Sequence, residues 1–170
     1  MTVTITLNAT HIDSLDLSPI LPTIDAWLQE DILTHEQELA FAIDYPQSPD
    51  TPQEWSEIPE IRLWFIRLDS LYPWLPLLLD WRSGELVRYV AMLVPHQFSD
   101  REGILFNPQA LDILIMHKVF VITHWLRSLG YESNAKVIQM AEMFGYELDT
   151  SLFNLMQTYP VGSMSPLPPH

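Results

Sequence analysis

The chain has 170 residues, of which 22 are acidic and 8 basic, so its formal net charge at pH 7 is −14. This charge argues against a protein that binds nucleic acid or anionic membranes, because both need a basic footprint. The chain has no cysteine, which excludes a disulfide framework, a thiol nucleophile and a cysteine-ligated zinc or iron–sulfur centre within it.

The N-terminal part is predicted to contain two strands with a helix between them. Apolar residues alternate with threonine over 3–7, the pattern of a half-buried strand. Ser18 and Pro19 have the residue types of a helix cap and first helical position, and apolar residues keep helical spacing to about residue 31. Strict alternation over 38–45 predicts the second strand.

Residues 44–60 are predicted to form an extended acidic loop. The segment contains four prolines and five acidic residues, and the first 61 residues contain 12 acidic and no basic side chains. This negative charge can attract a basic protein surface, although a solvated loop that only aids solubility is the equal alternative. Exposed tryptophans beside acids would anchor a protein partner. The candidate contact residues are Asp50, Glu54, Trp55, Glu57 and Trp74.

The middle of the chain is predicted to be β-structure. Residues 60–68 fit both a helical and a strand period, and their β-branched and aromatic content favours a strand. Residues 77–81 and 86–94 flank the sequence RSGE, which predicts a hairpin with Gly84 in the left-handed conformation. The near-continuous apolar run 86–94 predicts a central strand covered on both faces.

The C-terminal third is predicted to be helical. Asn107 and Pro108 begin a helix that runs to about residue 129, a second helix ends at Gly145, and a third follows Asp149. Residues 160–170 are predicted to be a disordered tail. The predicted fold is therefore α+β: a largely antiparallel sheet with a C-terminal set of helices packed on it, forming a single domain over 1–159.

A lysine interrupts the apolar side of the first C-terminal helix. The helical projection places Lys118 in the middle of that side, where its ammonium must reach solvent or meet a carboxylate. A structural ion pair is the more common arrangement, with a ligand-binding or catalytic lysine as the alternative. The candidate partners are Asp80, Glu85 and Asp69.

Two histidines lie on the opposite stripe of the same helix. The α-carbons of His117 and His124 should be about 10.5 Å apart, too far to chelate one ion, so no metal site is predicted. A small enzyme with a pocket built from Lys118, Asp80 and one of these histidines is one hypothesis. The dinucleotide, P-loop, α/β-hydrolase and zincin motifs are absent, so no catalytic residue and no cofactor is assigned.

The sequence predicts neither export, nor organelle import, nor a membrane span. The start, MTVTITLNATHID, lacks the features of secretory and transit peptides, and no apolar run approaches 18 to 20 residues. The sequence therefore predicts a soluble cytoplasmic protein without stable membrane insertion.

Four segments resemble a known family over roughly residues 54–130. They are EIPEIRLWFIRLD (57–69), YPWLP (72–76), LLDWRSGELVRYVAMLVPHQF (78–98) and FNPQALDILIMHKVFV (106–121). They are similar to the chlororespiratory reduction six family of cyanobacteria and plastids. Because no transit segment is expected, the chain resembles the cyanobacterial members of the family. The plastid members would be located in the stroma.

The resemblance implies a role and a partner. Its members are factors that assist assembly of the photosynthetic NAD(P)H dehydrogenase-like complex, by helping to mature or incorporate its ferredoxin-like iron–sulfur subunit. The implied function is thus a non-enzymatic assembly chaperone that binds this subunit transiently. A permanent structural subunit of a larger complex is a further alternative, and the resemblance supplies no site residues.

Overall fold

The structure, a computed structural model, describes residues 1–132 and 134–158, so the predicted tail at 160–170 lies outside the described residues. The chain divides into two compact units, Met1–Asp112 and a second that begins at Ile113. The expectation of one domain over 1–159 stays a prediction.

A two-stranded parallel sheet lies in the first unit and confirms both predicted strands. Strand β1 (Val3–Asn8) pairs with strand β2 (Leu39–Asp44), with Val3 opposite Leu39. The connection between them contains helices α1 (Ala9–Asp13) and α2 (Leu21–Gln29), as a parallel pair requires a crossover. One face of β1 is buried and its threonine face is exposed, as the alternation predicted.

The predicted helix after residue 18 is confirmed, but it begins later. Both the backbone N–H and the hydroxyl of Ser18 donate to the carboxylate of Asp16, at 2.9 and 2.8 Å. Ser18 therefore forms a local turn instead of capping the helix, because its side chain is already bonded backwards along the chain. Helix α2 begins at Leu21 with a proline in its first turn.

The α+β class is confirmed, although the strand pairing differs from a largely antiparallel sheet. The described residues form two separate two-stranded sheets, and the one with the longer strands is parallel. The second is an antiparallel hairpin of strands β3 (His96–Ser99) and β4 (Gly103–Phe106), which the sequence did not predict.

The strand prediction for residues 60–68 is wrong, because they lie in helix α3 (Pro59–Leu71). The buried side chains of this helix keep helical spacing, with a proline at its first position. They are Ile61, Trp64, Phe65 and Leu68. Burial of this continuous stripe outweighs the strand preference of the individual residues.

The predicted hairpin around RSGE and the central strand over 86–94 are also wrong. Residues 75–78 form a 3₁₀ turn, and residues 85–93 form helix α4 (Glu85–Leu93). Gly84 does take the left-handed conformation, with φ +86°, but it does so as the residue that precedes α4. A glycine is suited to this position because other residues adopt positive φ at a cost.

Replacing Gly84 by alanine should therefore lower the free energy of unfolding by about 1–2 kcal/mol. No atom lies within 4 Å of the added Cβ, so the cost comes from the backbone conformation and not from a clash. Urea unfolding measures it. A Gly84→Asn variant is the control, since asparagine tolerates positive φ better. Equal stability of the wild-type and alanine chains would contradict the stated role of this glycine.

The remaining helices confirm the helical C-terminal third. Helix α5 (Pro108–Ser128) begins after Asn107, whose side-chain oxygen accepts a hydrogen bond from the backbone N–H of Ala110 at 3.0 Å. Helices α6 (Ala135–Glu142) and α7 (Thr150–Thr158) follow within the second unit. Among the described residues, no helix has the length and apolar character needed to cross a membrane.

Candidate functional site

The predicted acidic loop is largely non-regular, but its end is folded. Residues 55–57 form a 3₁₀ turn, and Pro59 and Glu60 belong to α3, so the extended segment is shorter than predicted. The backbone N–H of Glu54 donates to the carboxylate of Glu57 at 2.8 Å, which fixes the start of the turn. Asp50, Glu54 and Glu57 are exposed and Trp55 is half-buried.

A hydrogen bond that the sequence did not reveal attaches this turn to strand β3. The hydroxyl of Ser56 lies 2.9 Å from Nε2 of His96, and Nδ1 of His96 lies 2.8 Å from the carbonyl oxygen of Val94. Since a carbonyl can only accept, the neutral ring carries its proton on Nδ1, and Nε2 accepts from Ser56. The buried Ser56 side chain thus joins the acidic segment to a hairpin 40 residues away.

Two adjoining concave surfaces lie beside the turn, and we call them together the aromatic groove. Their volumes are about 240 and 620 Å³, and both are lined by Glu54, Trp55 and Phe98. Phe98 is 42% exposed, although it is a large apolar side chain on a short strand. The groove therefore presents two aromatic rings next to acidic side chains.

The charges around the aromatic groove are mostly negative. Glu57 and Asp100 line the larger cavity together with Glu54, and Arg88 lines the smaller one. Arg88 is bonded to the carboxylate of Glu85, with 2.7 Å between Nη1 and Oε1. Within the described part of the chain, the three lining carboxylates take part in no ion pair. Their charges remain available to a binding partner.

Glu85 is a buried carboxyl group at the first turn of α4. Burial raises its pKa above the ordinary value, while the guanidinium of Arg88 and the backbone N–H of Phe41 act in the opposite direction. A raised pKa in the folded state means that this group favours folding at low pH. Its contribution is lost as the pH rises above about 4.5, its ordinary pKa.

A Glu85→Gln chain should lose this pH dependence. The neutral amide does not titrate, and the exposed end of Arg88 becomes solvated. The free energy of unfolding of the variant relative to the wild-type chain should therefore rise as the pH increases from 4 to 7. Urea unfolding across that range measures it, with the exposed Glu102→Gln as control. A difference that falls with pH would contradict the assignment.

Trp74 and Asp80 lie elsewhere in the first unit. Trp74 is half-buried, with its ring centroid 5.4 Å from that of Tyr72, and it does not line the aromatic groove. The carboxylate of Asp80 accepts from the backbone N–H groups of Arg82 and Ser83 at 3.2 and 3.3 Å. Asp80 thus stabilises the turn that leads into α4.

Lys118 lies on the buried side of α5, where the helical projection placed it. Its exposed fraction is 2%, whereas His117 and His124 are exposed. His124 lines an open cavity of about 740 Å³ in the second unit, next to Phe120 and Arg127, and neither Lys118 nor His117 lines it. The pocket hypothesised from Lys118, Asp80 and a histidine stays a prediction. Residues 1–132 and 134–158 contain no group of three His, Asp or Glu arranged to hold a metal ion.

Comparison with known proteins identifies a family but no structural relative. The family model described as chlororespiratory reduction 6 matches residues 7–155. No solved structure matches the chain. The matched range includes the acidic segment, the residues of the aromatic groove and Lys118. The resemblance found over 54–130 thus extends over most of the chain.

Proposed function

Since the chain belongs to the chlororespiratory reduction 6 family, we propose that it transiently binds the ferredoxin-like iron–sulfur subunit of the NAD(P)H dehydrogenase complex before that subunit is incorporated. Family membership gives the chain a role in biogenesis of this complex. The proposed action is binding and not catalysis. Its proposed place is the cyanobacterial cytoplasm or, in a plastid, the stroma.

The uneven distribution of charge between the two units carries this proposal. The first unit contains 18 acidic and 5 basic side chains, a net charge of −13, and the second contains 4 acidic and 3 basic, a net charge of −1. Negative charge concentrated on one part of a molecule steers a basic partner towards that part and disfavours the binding of acidic partners. We therefore propose the acidic segment 44–60 as the contact surface.

The absence of cysteine is consistent with an iron–sulfur partner. Clusters of the ferredoxin type are held by cysteine thiolates, and free thiolates on an assembly factor would compete for the iron. This chain has no cysteine, so it can hold such a subunit without exchanging ligands with it.

Affinity purification at low salt tests the proposal. The tagged chain is expressed in a cyanobacterium, and proteins released by increasing salt are identified by mass spectrometry. We expect the ferredoxin-like subunit, or peripheral-arm intermediates that lack the mature complex. Co-purification with the mature complex would instead indicate a permanent subunit. Failure to recover either, under conditions that preserve the intermediates, would contradict the proposed partner.

The burial of Lys118 keeps an enzymatic alternative open. A lysine with an exposed fraction of 2% is unusual, because long charged side chains are rarely buried completely. If the chain were an enzyme that uses this ammonium group, Lys118→Met would abolish its contribution to complex assembly while the variant still bound the iron–sulfur subunit. A binding function located in the first unit predicts that a folded Lys118→Met chain still binds the subunit and still supports complex assembly.

A further inference from the structure

We propose that the aromatic groove binds an arginine side chain of the partner protein, with the guanidinium between the ring of Trp55 and the carboxylates of Glu54 and Glu57. This inference rests on the proposed function, because it specifies the chemistry of recognition at the same contact surface. It names a cationic, planar group as the part of the partner that enters the groove.

The Trp55 ring is available for such a contact. Trp64 and Trp81 use their indole N–H groups within the fold, donating to the carbonyl oxygens of Asp16 and Pro76 at 2.7 and 2.8 Å. Among the described residues, Trp55 makes no hydrogen bond through its indole and no aromatic ring contact. A half-buried indole that lines a groove and has an unused donor is typical of binding anchors.

The groove is also held in place before a partner arrives. The Ser56–His96 hydrogen bond fixes the turn against strand β3, and the Glu54–Glu57 bond fixes the start of the turn. Phe98 lies on that same strand. A preformed site loses little conformational entropy on binding, so it gains affinity relative to a flexible loop.

Charge and size select the occupant. The groove has three carboxylates against Arg88, which is already bonded to Glu85, so it favours a cation. The carboxylates of Glu54 and Glu57 and the ring of Trp55 all line the larger cavity, of about 620 Å³, which has room for an arginine side chain. A guanidinium fits better than an ammonium because it is planar, stacks on aromatic rings and bonds carboxylates in a bidentate manner.

A peptide titration tests the groove without the natural partner. The full chain, labelled with ¹⁵N, is titrated with acetyl-Arg-Leu-Arg-amide, and the indole N–H resonances are followed. The Trp55 resonance is assigned with Trp55→Phe. We expect it to shift, with affinity at least tenfold weaker for the peptide in which citrulline replaces arginine. Equal responses to both peptides, or no shift at Trp55, would overturn the proposal.

A binding measurement with the ferredoxin-like subunit completes the test. We expect Trp55→Leu and Phe98→Ser to weaken its binding about tenfold each. Leu63→Ala, a change at a 52% exposed apolar residue of α3 outside the groove, should leave it unchanged. Circular dichroism verifies that each variant is folded.

The two failures are distinguishable. If the subunit binds the wild-type, Trp55→Leu and Phe98→Ser chains equally, the groove proposal is wrong and the proposed function stands. If the subunit does not bind the wild-type chain while the arginine peptide does, the groove proposal stands and the proposed partner is wrong.

Discussion

Replacing Trp64 with alanine is expected to lower the free energy of unfolding by about 3–5 kcal/mol. The Trp64 side chain is completely buried in the first unit, and its indole N–H donates to the carbonyl oxygen of Asp16 at 2.7 Å. Its ring meets those of Phe41 and Phe65 edge to face, with centroids 5.9 and 5.1 Å apart. The substitution removes these contacts, leaves a cavity and deprives a carbonyl of its donor. Urea unfolding measures the loss.

Two further variants separate the effect of burial from the effect of residue type. Trp64→Phe keeps an aromatic ring and removes the hydrogen bond, so it should cost less than alanine, about 1–3 kcal/mol. Trp55→Ala removes a side chain of the same type from a half-exposed position and should cost about 1 kcal/mol or less. If Trp55→Ala were as destabilising as Trp64→Ala, the assignment of Trp64 to the core of the first unit would be wrong.

The sequence predicts an element reliably where only one period fits its apolar residues. Strands β1 and β2 show strict alternation, and α5 begins at an Asn–Pro pair, so all three were predicted correctly. Residues 60–68 fit two periods, because α3 also carries the exposed apolar residues Leu63 and Ile66. Leu63 lies two residues from both Ile61 and Phe65, so it produces an alternation typical of a strand and obscures the helical stripe.

Helix α4 was mistaken for a central strand for a different reason. Seven of its nine residues are apolar, and only Glu85 and Arg88, three residues apart, mark its polar side. With so few polar positions, the apolar run has the near-continuous pattern that a central strand also shows. Gly84 was correctly predicted to be left-handed, but a left-handed glycine is compatible with both a hairpin and the start of a helix.

The sequence could predict only those parts of the candidate site that lie within one short segment of the chain. The acidic charge and Trp55 are visible in the sequence, because they lie within one short segment. The Ser56–His96 bond and the position of Phe98 depend on a contact between segments 40 residues apart. No periodicity indicates such a contact, and the hairpin that carries Phe98 has strands of only four residues.

Reversing three charges of the acidic segment should produce the largest loss of partner binding. The variant Asp50→Lys, Glu54→Lys and Glu57→Lys changes the formal net charge of the chain from −14 to about −8. At low salt we expect its affinity for the ferredoxin-like subunit to fall by about ten- to a hundredfold, since each reversal replaces attraction by repulsion. Calorimetric titration at several salt concentrations measures this loss, which should diminish as the Debye length shortens.

A matched set of reversals separates the local surface from net charge. Asp25→Lys, Glu142→Lys and Glu147→Lys change the same number of exposed charges outside the acidic segment. A contact at the segment predicts that this control binds nearly as well as the wild-type chain. If both sets weakened binding equally, charge would act only by long-range steering, and the segment would not be the contact surface. Glu57 also accepts a hydrogen bond from the backbone N–H of Glu54, which Glu57→Lys would remove together with the charge. A triple variant with Glu57→Gln in its place keeps that bond and should still show most of the loss of binding.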